Sequence, residues 1–196
     1  MQYLIKNPDS EAIALKYTDT IERIKIRKIL LETEQKGFCA YTERFIKNTD
    51  SAHIEHFFPK KEYPDRIDDY YNWYVVMAWI NENRPKKLTT KKGKTFLPII
   101  MPYSEDFLRR ITYKNGVFEP INEKDEEVVN LIEFLSFNHF MLYKDRKAHV
   151  DYIRTLESFF SNEEEFIEIL KSDKDNLSFA TALKHELGID VAKLLR

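Results

Sequence analysis

The chain has 196 residues, 43% of them hydrophobic and 14% aromatic with only four glycines, which is the composition of a folded protein with a sizeable core and excludes a disordered or glycine-rich chain. The formal net charge of −2 excludes an overall basic footprint, so any attraction for nucleic acid has to come from a local patch or from a partner. One cysteine, Cys39, excludes an internal disulfide and an all-cysteine zinc site.

No apolar run approaches the roughly 20 residues that span a bilayer, and MQYLIKNPDS lacks the basic start and long apolar stretch of a signal peptide; a cytoplasmic protein without a membrane partner is expected. TIERIKIRKILLETEQKG spaces Ile21, Ile24, Leu30 and Leu31 at roughly helical intervals before Gly37, which predicts a helix from Thr20 to Gln35. FCAYTERF reads as a short strand or turn, and SAHIEHFF as a strand stopped by Pro59. Residues 59–70 are charged and hold two prolines, hence a loop, and WYVVMAWI is expected as strand first and helix later. FLPIIM predicts a buried strand, and RITYKNGVFEP a hairpin whose Asn115-Gly116 turn suits type I′ geometry. Four segments with apolar stripes follow, EKDEEVVNLIEFLSF, MLYKDRKAHVDYIRTLESFF, NEEEFIEILKS and NLSFATALKHELG, with Asn162 placed to start the third. Residues 1–36, 37–95 and 96–196 are read as an N-terminal helical segment, a small central core, and a hairpin with a C-terminal helical region, forming one compact unit.

The chemistry concentrates in HIEHFFPKKEYPDRIDDYYNWYVVMAWINENRPKK. His56 ends a strand, Asn72 follows sixteen residues later, and Asn81 nine after that. A histidine with an ordinary pKa of about 6.5 is largely neutral at cellular pH and can serve as a base, while Mg²⁺ asks for oxygen ligands, often only one or two from the protein. Glu55 and Asn81 carry such oxygens. RPKKLTTKKGK adds Arg84, Lys86, Lys87, Lys91, Lys92 and Lys94 without an acid, a candidate phosphate-facing patch.

This order and spacing resemble the HNH, or ββα-metal, endonuclease signature. FCAYTERFI, HIEHFFPKKEYPD and YYNWY further resemble the HNH subunit of Septu-type and retron-associated anti-phage systems, with its Cys-Ala-Tyr-Cys-Glu and Ile-Glu-His-Phe-x-Pro-Lys pattern; LIEFLSFNHFMLYKDR, with Asn138 and Arg146, echoes that group's helical tail. The resemblance implies an α+β fold, a mainly helical chain containing a ββα-metal core and a C-terminal helical extension. It implies His56 as general base, Asn72 holding the loop and orienting the imidazole, Glu55 and Asn81 ligating Mg²⁺ or Mn²⁺, and Lys86 contacting phosphate; Asn83 is the alternative to Asn81 if the register shifts. It implies a nuclease acting on DNA and an ABC- or AAA-like ATPase partner docked on the tail after residue 121, a tail removable without loss of the nuclease fold. An RNase of the same chemistry and a catalytically inactive scaffold remain open alternatives.

Two departures stand out. Relatives build a structural zinc site from paired cysteines, but the corresponding positions here are Cys39, Thr42, Met77 and Ile80, so zinc is not expected and an apolar contact among Cys39, Met77 and Ile80 is expected in its place. Pro85 requires the helix carrying Asn81 to end or kink near Arg84. Tyr70, Tyr71, Trp73, Tyr74 and Trp79 are read as core, and His53 as a surface residue on the face of Glu55. His139, His149 and His185 are assigned no chemistry, with His149 expected to pair with Asp145 at the surface.

Overall fold

The computed structural model describes residues 6–104 and 106–195; the beginning of the N-terminal stretch, residues 1–5, lies outside them. Asp19 starts the first helix, α1 (Thr20–Lys28), by accepting from the backbone N–H groups of Ile21 and Glu22. The expected helix continues only as a wide π turn over Ile29–Glu34, closed by Gln35 N–H on Leu30 O at 2.8 Å and by Gly37, whose φ of 95° favours glycine. The apolar stripe differs from expectation: Ile26 and Leu30 are buried, whereas Ile21 and Ile24 stand 69% and 70% exposed. Residues 24 and 26 lie about 200° apart around a helix, so one core can take only one of them.

Residues 38–45 form a tight loop closed by an isolated bridge between Phe38 and Phe45. β1 (Ala52–His56) then pairs antiparallel with β2 (Trp73–Met77), His56 opposite Trp73 and Ala52 opposite Met77. α2 (Ala78–Asn83) leaves β2 with no connecting residue, giving a strand–strand–helix unit. It stops where Pro85 forces Arg84 into extended backbone, at φ −101° and ψ 161°.

Residues 96–101 form no strand, contrary to the reading of FLPIIM. Pro98 has no N–H to give a ladder, and Phe96 N–H and Ile100 N–H reach the carbonyls of Leu88 and Glu127 instead; Phe96 and Ile100 still fill the core as loop residues. A single helical turn, α3 (Phe107–Arg110), leads into the expected hairpin of β3 (Ile111–Lys114) and β4 (Val117–Pro120), with Asn115 at φ 51° and Gly116 at φ 88°. The helices α4 (Glu126–Phe134), α5 (Phe140–Glu157), α6 (Glu163–Ser172), α7 (Ala180–Leu187) and α8 (Val191–Leu194) complete the α+β fold, and Asn162 caps α6 as expected. Among the described residues no helix is long and apolar enough to cross a membrane.

One contiguous core runs through all three sequence segments, including Leu30, Trp73, Ile80, Phe134, Val150 and Leu183. The tail after residue 121 is therefore part of the core. Phe134 packs edge-on against Phe57 at 5.8 Å and lies 5.4 Å from Phe96, so a truncation at 121 would strip the strand–strand–helix unit of its cover. Asn138 and Arg146 are structural: Asn138 accepts from Phe118 N–H and donates to Phe118 O, while Arg146, 2% exposed, donates to the carbonyls of Phe137 and Gly116.

The buried Glu43 carboxylate ties the central loop to α7. It accepts from Thr181 N–H at 2.8 Å and Thr181 Oγ1–H at 2.7 Å, and its own carbonyl accepts from Phe179 N–H at 2.7 Å. Hydrogen bonds to a charged acceptor contribute roughly 1.5–3 kcal/mol, and truncation leaves the buried Thr181 N–H without its partner. Glu43→Ala is expected to lower the unfolding free energy by roughly 2–4 kcal/mol, measured as a shifted urea midpoint at unchanged slope.

Candidate functional site

His56, Glu55, Asn81, Lys60, Lys61, Lys86 and Lys87 line one groove of about 500 Å³ at the end of the β1–β2 pair. The loop between the strands is folded by Asn72, which is fully buried. Its side-chain nitrogen donates to the carbonyls of Phe58 and Arg66, each at 3.0 Å, and its oxygen accepts from Phe58 N–H at 2.7 Å. Both ends of the loop are thereby held together, as expected of Asn72, but it does not touch the imidazole. The orienting group is Ile67, whose carbonyl accepts from His56 Nε2 at 2.9 Å and from Trp73 Nε1 at 2.8 Å.

A carbonyl can only accept, so Nε2 carries the proton and the lone pair sits on Nδ1. Burial pulls the His56 pKa down to about 4, against the opposing influence of the Ile67 hydrogen bond; Lys60 and Arg23 lower it further, and Asp68 raises it. The imidazole is therefore neutral throughout the physiological range. Tyr17, from the segment before α1, meets its ring edge-on at 4.5 Å. The Arg23 guanidinium and the Lys60 ammonium lie over the Tyr17 ring at 4.5 and 4.8 Å. Thr18 fastens this segment to the loop through its N–H and hydroxyl, both donated to Asp68 at 3.1 Å.

Glu55 and Asn81, the residues expected to ligate a hard divalent cation, bring their side-chain oxygens to the groove, which Glu62 also lines. Each already meets a cation of the chain. Arg84 donates Nη2 to Glu55 Oε1, and Lys86 Nζ donates to Asn81 Oδ1 at 3.1 Å. Glu55 and His56 serve the same groove despite being neighbours because His56 is the last paired residue of β1, where the alternation of faces ends. Burial and the nearby Arg84 lower the pKa of Lys86 below the ordinary lysine value.

Comparison with models of protein families and with curated proteins gives no match to this chain. The site is thus read from its geometry.

Several expected residues stand elsewhere. Arg84 is not free for phosphate: it is 4% exposed, ion-paired to Glu55, and its guanidinium lies 4.9 Å from the Phe134 ring, because extended backbone before Pro85 turns it inward. Lys91 and Lys92 lie on an exposed turn closed by a Thr89–Thr95 bridge and do not line the groove, and Lys94 pairs with Glu133 at 2.6 Å. Asn83 donates to Trp79 O and takes no part, which leaves Asn81 as the helix residue of the groove. His53 is exposed and lines it, as expected. The link expected at Cys39, Met77 and Ile80 is made in part by a hydrogen bond, Met77 N–H on Cys39 Sγ at 3.4 Å, with Cys39 and Ile80 fully buried. Tyr70, Trp73 and Tyr74 are core and Tyr71 is half-buried, but Trp79 is 37% exposed and contacts His139. His149 does not pair with Asp145: its Nε2 bonds Asn176 O, and Asp145 takes Arg44 at 3.3 Å, since α5 turns the histidine toward the loop before α7.

Tyr17 carries no local signal in the sequence, being brought to His56 only by the fold. Lys60 and Lys61, read only as part of a charged loop, do carry a signal, a basic pair following Pro59 next to the strand that His56 ends.

Because the folded chain holds His56 below its unfolded pKa of about 6.5, the unfolded state takes up a proton that the native state refuses as pH falls from 6.5 toward 4. Stability linked to His56 is fully present above pH 6.5 and is lost across that window. Between pH 7.5 and pH 5 the loss attributable to this group is roughly 2 kcal/mol. Urea titrations at the two pH values are expected to show a smaller loss for His56→Gln than for wild type, the difference being this term.

Proposed function

We propose that this chain is a metal-dependent endonuclease of the HNH, or ββα-metal, type that hydrolyses phosphodiester bonds of DNA. The observation that carries this is the meeting of a neutral, oriented His56 with Glu55 and Asn81 at the end of a strand–strand–helix unit, in one groove flanked by Lys60, Lys61, Lys86 and Lys87.

The chemistry follows from these residues. With Nε2–H donated to Ile67, His56 presents the Nδ1 lone pair to accept a proton from an attacking water. Neutrality is secured by burial, and the edge of Tyr17 restricts the rotation of the ring. The lysines on either side offset the charge of a phosphate backbone drawn between them. Glu55 and Asn81 form a donor set that fits Mg²⁺ or Mn²⁺: two hard oxygens, each shared with one cation of the chain, in a groove open to water and substrate. When bound there, such an ion supplies charge stabilisation to the phosphate and the leaving oxygen. Among the described residues no cluster of three or more His, Cys, Asp and Glu is placed to hold a metal.

By the same reading the chain is an effector whose access to DNA is controlled by a partner, an ATPase subunit of a defence complex. The net charge of −2 accords with that arrangement, since a partner can supply phosphate affinity that the whole chain lacks. A second reading, a nucleic-acid-binding subunit without catalysis, is favoured by one observation: both candidate ligand oxygens already meet Arg84 and Lys86.

Plasmid cleavage separates the two. Wild type, alone or with its co-purifying ATPase, is expected to cut in Mg²⁺ or Mn²⁺ and not in EDTA, and His56→Ala is expected to lower the rate at least about a hundredfold. DNA binding without cutting under every condition would support the non-catalytic subunit. Tyr17→Ala is expected to lower kcat while Tyr17→Phe, which keeps the ring edge, retains most of it.

A further inference from the structure

We propose that Arg84 and Lys86 are resident counter-cations of the Glu55–Asn81 oxygen pair, so that the groove takes up a divalent cation only after a DNA backbone has drawn Lys86 away from Asn81. This rests on the reading of Glu55 and Asn81 as cation ligands and adds the order in which the site is filled.

The two cations differ in how firmly they are held. Arg84 is 4% exposed; it donates Nη1 to Pro85 O at 3.0 Å and Nη2 to Glu55, and its guanidinium lies over the rings of Phe134 and Tyr41 at 4.9 and 5.6 Å. Moving it would bury an unpaired carboxylate in its place, so its charge stays beside Glu55 whatever occupies the groove. Lys86 is exposed, and among the described residues its hydrogen bond is to the Asn81 amide oxygen. A flexible lysine stem can leave that oxygen at little cost when a phosphate offers a charge-assisted bond instead.

The balance of charge then sets the order. Four lysines and two glutamates line the groove; of the two carboxylates, Glu55 is matched by Arg84 and Glu62 accepts from Leu88 N–H at 2.8 Å. A dication approaching the empty groove meets a positive field and an amide oxygen that is already occupied, whereas a polyanion is attracted. A strand lying between Lys60 and Lys86 would reverse the local field, give Lys86 a better partner and bring phosphate oxygens as further ligands for a cation held by Glu55 and Asn81. Lys86 is thus a positioning residue for the amide oxygen in the empty protein and a phosphate contact in the loaded one.

The test uses the full chain carrying His56→Ala, which keeps both oxygens and leaves a DNA oligonucleotide intact. Mn²⁺ binding is read by loss of the free-ion electron paramagnetic resonance signal, with the oligonucleotide alone as reference. Mn²⁺ is expected to bind at least about tenfold more tightly with the oligonucleotide present, and reciprocity requires the same factor in oligonucleotide affinity, read by fluorescence anisotropy with and without Mn²⁺. Adding Lys86→Met, or Lys86→Gln as a second variant, is expected to tighten Mn²⁺ binding to the protein alone severalfold and to shrink the enhancement. Equal Mn²⁺ affinity with and without the oligonucleotide, or an affinity that neither Lys86 variant changes, overturns the counter-cation role while leaving the ligand reading intact. Absence of Mn²⁺ binding in both states overturns the ligand reading itself, and this inference with it.

Discussion

The buried side chain of Asn72 is the constraint on which the groove depends. Its three hydrogen bonds hold Phe58 and Arg66 together across the loop between β1 and β2. Closing that loop by one amide places Ile67 where its carbonyl can orient His56, and sets Lys60 and Lys61 along one bank of the groove. An asparagine suits the task because one planar group offers both donors and an acceptor, so each backbone group it meets in the interior is satisfied. A hydrophobic residue of similar size would leave those backbone groups buried without partners.

Around this unit the rest of the chain acts as a wall. Gln35 inserts its amide between Phe38 O, Val75 O and Val75 N–H, joining the end of the N-terminal helical segment to β2. Glu43 fastens the 38–45 loop to α7, and Arg146 fastens α5 to the β3–β4 hairpin. These are polar bonds made deep in the protein, where each is expensive to leave unmade, and they fix the register of elements that apolar packing alone would let slide. The Cys39 thiol serves the same end, accepting the Met77 N–H.

Electrostatics gives the groove its character. A buried guanidinium beside Glu55 and an exposed ammonium beside Asn81 leave the two oxygens matched within the chain, while the surrounding lysines keep the field positive. That arrangement gives a chain of slightly negative net charge one locally basic groove. The neutral His56 at its floor adds no charge of its own.

Much of this was legible in the sequence, because short-range rules fix it. Pro59 and Pro85 end a strand and a helix, Asn115-Gly116 turns a hairpin, and Asn162 starts a helix, while of the three residues singled out by their spacing His56 and Asn81 line one groove and Asn72 folds the loop beside it. What only the tertiary structure decided are matters of which face and which partner. Whether Ile24 or Ile26 enters the core depends on what lies opposite α1, and FLPIIM becomes a core-filling loop whose Phe96 and Ile100 N–H groups meet the carbonyls of Leu88 and Glu127. Arg84 looks in sequence like one more cation of a basic patch and is instead buried against Glu55 and Phe134, residues 29 and 50 positions away. Tyr17 reaches His56 across a similar separation. Composition and spacing carry the local backbone preferences of a chain, but the partner of a charge or an aromatic ring is set by contacts between distant segments, and those exist only once the core has closed.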